Sequence, residues 1–200
     1  MEQCSTVIGI SDHCSWAELV TVSVHDGVPV LRDRRQVELI APGIPTMPYH
    51  HEGLVLPLCE TEALVARVRA SVADHCREHL AKLKSTFGAG AATVQRSPFP
   101  SLPASLADLL ASRALTCAAD GMLYRESLAD AARELGMYVD RSARKANALS
   151  GAAHALGRTE ANVSALLLGF GQQAGRPWTR EHRDAAANAL RVLAERGALR

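Results

Sequence analysis

Two alternating runs flank a turn signal: "WAELVTVSVH" at 16–25 and "VPVLRDRRQVELI" at 28–40, joined by Asp26-Gly27. Alternation carries the two-residue period of a strand, and an Asp-Gly pair accepts the positive φ angles of a tight hairpin turn. The two runs therefore predict an antiparallel hairpin, which excludes an all-helical fold. Just ahead lies "STVIGIS", a β-branched apolar run without alternation, as expected of a strand covered on both faces. Three consecutive strands paired as a meander follow.

The rest of the chain has the helical period. Leu64, Val68, Val72, Cys76, Leu80 and Leu83 recur at spacings of three and four, predicting one long amphipathic helix over 59–84. "GAATVQRSP", between the Gly88–Gly90 stop and "SPFPSLP", predicts a buried fourth strand; residues 104–136 return to helical spacing until Gly136, and "MYVDRSA" predicts a fifth strand. Alanine-rich helices are expected over 144–156 and 179–196, the second opening at Thr179 as N-cap. The expectation is a single α/β domain over 1–200, with a mixed five-stranded sheet. Its first strand is central, the second and third lie antiparallel to one side, and the fourth and fifth run parallel to the first.

Three meandering strands followed by helix, strand, helix, strand, helix resemble the ribonuclease H-like fold. The opening "VIGISDHCSWAELVTV…DGVPVLRDRR" looks like the first hairpin of that superfamily, where an aspartate ending the first strand holds a divalent metal; the resemblance assigns that role to Asp12. In Holliday-junction resolvases of this superfold a C-terminal helix presents two further acids three residues apart, followed by alanines. "REHRDAAANAL" is similar, with Glu181 and Asp184 one turn apart on one helix face. The segments "YHHEGLVLPL", "ADGMLYRESLADAARELG" and "GRPWTREHRDAAANAL" also resemble a family of uncharacterised bacterial proteins of about this length. One departure matters. Those resolvases also supply a carboxylate from the end of the fourth strand, and here that end reads "VQRSPFP", with Gln95 and Arg96.

The resemblance implies a metal-dependent nuclease or resolvase-like phosphodiesterase acting on nucleic acid, with Mg²⁺ or Mn²⁺ as cofactor. Asp12, Glu52, Glu181 and Asp184 are then the catalytic candidates, and Asp12, His51, Glu181 and Asp184 the metal ligands. Glu52 or His51, from the proline-flanked "PYHHEG" loop at 48–53, would fill the gap left by the missing acid. His50, Arg125 and Arg180 are candidate substrate contacts. The departure leaves a second reading open, a catalytically silent ribonuclease H-like module binding a protein or nucleic acid. An actin-like kinase or ATPase reading is disfavoured, because "GISDHCSW" lacks the glycine-rich phosphate turn after the first aspartate.

Charge is unevenly spread. Residues 141–200 hold ten Arg and Lys against four Asp and Glu, whereas residues 1–140 hold twelve against seventeen. The basic C-terminal part suits an anionic partner. At 4% aromatic residues the chain offers no stacking platform for single strands, and Trp178 is read as a packing anchor for the last helix. Five scattered cysteines without a C-x-x-C pair predict neither a disulfide framework nor a zinc knuckle. With no apolar window approaching the ~20 residues of a membrane span, the chain reads as cytoplasmic.

Overall fold

The computed structural model describes residues 5–97, 101–141 and 147–199. Strands β1 (Thr6–Asp12), β2 (Trp16–His25) and β3 (Val28–Glu38) form the meander, and β4 (Ala91–Thr93) and β5 (Tyr138–Asp140) complete a sheet of order β3-β2-β1-β4-β5. β1 pairs antiparallel with β2 and parallel with β4, and β4 pairs parallel with β5. The expected topology is the observed one. At the hairpin, Asp26 and Gly27 take φ of 50° and 75°, the left-handed pair that a type I′ turn needs.

Helices cover both faces. α1 (Leu58–Phe87), α2 (Leu106–Leu110) and α3 (Arg113–Glu134) pack on one; α4 (Ala148–Leu156), α5 (Glu160–Ala174) and α6 (Arg180–Glu195) pack on the other. β1 shows why its sequence does not alternate. Ile8 and Ile10 enter the core with Val68, Val72 and Leu80 of α1, while Val7 enters the opposite core with Ala186 and Leu190 of α6. Gly9 faces α6 so closely that an added Cβ would stand 2.0 Å from the Ala185 carbonyl oxygen. Only a glycine lets the helix sit there, and the alanines of "DAAANAL" complete the close approach from the other side.

Four differences from the sequence reading have local causes. The helical stretch 104–136 is two helices, because α3 restarts at Arg113 after a break at Ala111 and Ser112. The start of the helix expected at 144 lies outside the described residues; the described part begins at Ala148, capped by Asn147 accepting from the Ser150 amide. α5 was not anticipated, although Thr159 caps it and Val163, Leu167 and Phe170 give it a buried stripe. The "PYHHEG" loop is partly helical, a 3₁₀ turn at Glu52–Leu54. Cys14, Cys59, Cys76 and Cys117 are unpaired, and Cys4 lies outside the described residues. No described helix is long and apolar enough to cross a membrane.

Candidate nucleic-acid cleft

β1 ends where α6 begins, because the Gly9–Ala185 contact holds strand and helix together three and five residues from those ends. Between them opens a cleft of about 300 Å³ lined by Asp12 and His13, by Gln95 after β4, by Arg125 of α3, and by Arg180, Glu181 and Asp184 of α6. Of the sequence candidates, the structure thus brings Asp12, Arg125, Arg180, Glu181 and Asp184 together. Gln95 stands beside them where the resembled resolvases carry an acid. His13 shares the cleft, stacked on Trp16 with ring centroids 3.9 Å apart, while Cys14 turns into the α1–α3 core.

Arg125 decides the character of this cleft. Its Nη2 donates to Asp12 Oδ2 at 2.6 Å, with the two side chains only 10% and 3% exposed. With Arg125 on α3, Asp120 and Tyr124 are buried too. Asp12 Oδ1 and Arg125 Nε have no protein partner among the described residues, so each retains one buried polar atom that a ligand could satisfy. On α6, Arg180 Nε donates to Asp184 Oδ2 at 3.3 Å. Glu181 is held below its usual carboxylate range, first by its own backbone N–H and then by the Thr179 hydroxyl.

The donor set does not fit a two-metal centre. Two of the three cleft acids already have an arginine partner, the fourth position is the neutral Gln95, and a buried guanidinium stands against the carboxylate that would be the central ligand. Among the described residues no group of three or more His, Cys, Asp or Glu is arranged to hold a metal ion. Of the expected ligand set, Asp12, Glu181 and Asp184 line the cleft and His51 does not.

The histidine loop lies elsewhere, and His50, His51 and Glu52 do not line the cleft. Asp120, on α3, accepts the Tyr49 and His50 amides at 3.1 and 3.0 Å, and Tyr124 donates to the Thr46 carbonyl at 2.7 Å, which pins the loop against the first half of α3. Burial pushes the Asp120 carboxyl up to about 6 against the pull of those two amides. His50 Nδ1 sits 2.8 Å from Cys117 Sγ, and His51 is exposed. The proline-flanked loop is thus docked on α3.

His182, beside Glu181 in the first turn of α6, is 2% exposed. Its Nδ1 accepts from the Thr179 amide at 3.1 Å, capping α6, and its Nε2 lies 2.9 Å from Glu18 Oε2 of β2 without the alignment of a hydrogen bond. Burial lowers His182 and raises Glu18, driving both towards neutrality.

No family model and no curated protein matches the chain. Solved structures do. Thermus thermophilus RuvC aligns with TM-score 0.54 at 16% identity over 96% of both chains, and the same protein in complex with Holliday junction substrate aligns with 0.52 at 17% identity over 96% of this chain and 95% of that one. The yeast mitochondrial Holliday junction resolvase Ydc2 aligns with 0.54 at 14% identity over 96% of this chain and 79% of that one. The fold is ribonuclease H-like. Identity at this level speaks for the fold alone, so function has to be argued from the cleft.

Proposed function

We propose that the protein is a resolvase-like nucleic-acid-binding module that engages a phosphodiester in the β1–α6 cleft with arginines in place of a two-metal centre. The observation that carries this reading is the buried Arg125–Asp12 pair. Three carboxylates alone would repel a phosphate. Arg125 and Arg180 leave the cleft with one net negative charge, on residues that a phosphate can rearrange. Arg180, 83% exposed in its side chain, can exchange Asp184 for phosphate at little cost, since such exposed pairs contribute only about 0–1 kcal/mol. The basic stretch 141–200 supplies the longer-range attraction, and the complex of a similarly folded protein with a Holliday junction makes a four-way junction the first substrate to test.

The test is fluorescence anisotropy with labelled four-way junction and linear duplex in EDTA. Binding without divalent ions is expected, weakening steeply with salt and falling at least threefold for Arg180→Ala. A second reading, metal-dependent cleavage, is favoured by the convergence of Asp12, Glu181 and Asp184 on one cleft. Junction cleavage by the wild type in Mg²⁺ or Mn²⁺, abolished by Asp12→Asn, would replace the first reading with the second. Binding that required a divalent ion would count against the first in the same way.

A further inference from the structure

The first turn of α6 has a second concave side. Whereas Arg180, Glu181 and Asp184 face the β1 cleft, Thr179 and Arg183 line a cavity of about 710 Å³ bounded by α5 and by residues 175–178. Its walls include Leu168 and Gly171 of α5, Trp178, and Gln172, with Arg176 and Arg183 among the lining residues. Its size is that of a small-molecule site. Resting on the reading of the cleft as a phosphodiester site, we infer that this cavity is a subsite for a single unpaired nucleotide next to the phosphate held in the cleft.

Three observations support that occupant. Charge is the first. Both arginines are exposed, neither has a side-chain partner among the described residues, and no acid lines the cavity. Two free guanidiniums at an apolar pocket call for an anionic ligand with an apolar body, and a nucleotide is both. Shape is the second. Leu168 is 61% exposed with no described segment covering it, and the Trp178 ring packs so tightly on α5 that a Cβ at Gly171 would stand 2.5 Å from it. Trp178 is thereby a fixed wall of the cavity, and its buried Nε1–H has no partner. Arg34 of β3 donates to the Pro177 carbonyl and ties the wall to the sheet. Continuity is the third. Residues 179 and 183 share one helix face and 180 and 184 the next, so a strand crossing this turn passes from one concavity into the other.

The chain has two tryptophans, so Trp16→Phe leaves Trp178 as the sole indole emitter in the full-length protein. Titration of that variant with a tetranucleotide, and with the same backbone carrying abasic sites, separates base from phosphate. The inference expects quenching of Trp178 emission and about tenfold tighter binding of the base-bearing probe, the scale of one base stacked or buried on an aromatic wall. Arg183→Gln and Leu168→Glu, both at exposed positions, should each weaken that probe about tenfold while leaving circular dichroism unchanged. Equal affinity for the two probes, or an unchanged emission at saturation, overturns it. A junction that binds with Trp178 silent would sink this inference and leave the cleft reading standing. Base-selective tetranucleotide binding without junction binding would remove the four-way junction as substrate and keep the nucleotide subsite beside the cleft.

Discussion

Two buried acid–base pairs flank the start of α6, and they are built in opposite ways. Asp12 and Arg125 meet in a charge-assisted hydrogen bond of 2.6 Å. Glu18 and His182 approach to 2.9 Å, but burial pushes the glutamate up and the histidine down, so that pair tends to two neutral groups. The difference follows from chemistry. A guanidinium cannot shed its proton in a protein, so a carboxylate buried beside it stays answered by charge, whereas an imidazole can escape the desolvation cost by becoming neutral. The first pair holds charge inside the cleft; the second removes it from the helix cap.

The hardest blow to the contrast is to the contact beneath both pairs. Gly9→Val should leave the protein insoluble or lower its stability by more than about 4 kcal/mol, because backbone stands in the way of the new side chain. Expression and thermal melting check it. Next comes Arg125→Ala, which strands Asp12 without its cation; a loss of about 3–5 kcal/mol is expected, roughly 10 °C in melting temperature. Asp12→Asn combined with Arg125→Met should recover more than half of that loss, since neither charge then remains. If the double variant is as unstable as Arg125→Ala, packing and not charge is what Arg125 supplies.

A smaller effect sharpens the comparison. Glu18→Gln should cost less than about 1 kcal/mol at pH 7, far less than Asp12→Asn, because Glu18 is already driven towards its neutral form. Equal costs in urea denaturation would erase the distinction between the pairs. Smallest is the pH response of the cap. With the folded His182 below its ordinary 6.5, the unfolded chain takes up the proton first. His182 thus contributes stability that is present above pH 6.5 and is lost as pH falls through 6.5 towards the lowered folded value. Melting curves of wild type and His182→Asn should converge over that interval; parallel curves would mean that the imidazole does not titrate differently on folding.

The two sides of the molecule also differ in how far the sequence revealed them. The strands were legible because each carried its own local signal: alternation in 16–25 and 28–38, Asp26-Gly27 between them, and an unbroken apolar run at β1. The cleft's acids were legible by their spacing, Glu181 and Asp184 on one turn and Asp12 at a strand end. Arg125 was not. The stripe that identifies a helix's buried face is blurred in α3 by alanines and Gly121, so nothing in the sequence marks Asp120, Tyr124 and Arg125 as buried. The burial of His182 is hidden for a different reason, since rotation about the helix axis fixes where a Cβ points but not where a ring capping its own N-terminus turns back to. The α5 stripe was hidden by glycines at 169 and 171, the second of which yields its space to Trp178. The "HHE" loop looked like ligands because sequence shows which donors are adjacent, not that Asp120 lies across from their amides.

The Gly9–Ala185 contact acts as a caliper on the cleft. With strand and helix backbones already touching, the gap between the Asp12 and Glu181 attachment points is set by main chain, and neither element can slide inward to close on a small ion or outward without breaking the seal. Only side-chain rotation is left to adjust the opening. A ligand that enters is therefore measured against a fixed jaw width, and the long stems of Arg125, reaching in from the opposite helix layer, and of exposed Arg180 on α6 itself are what adjust to it.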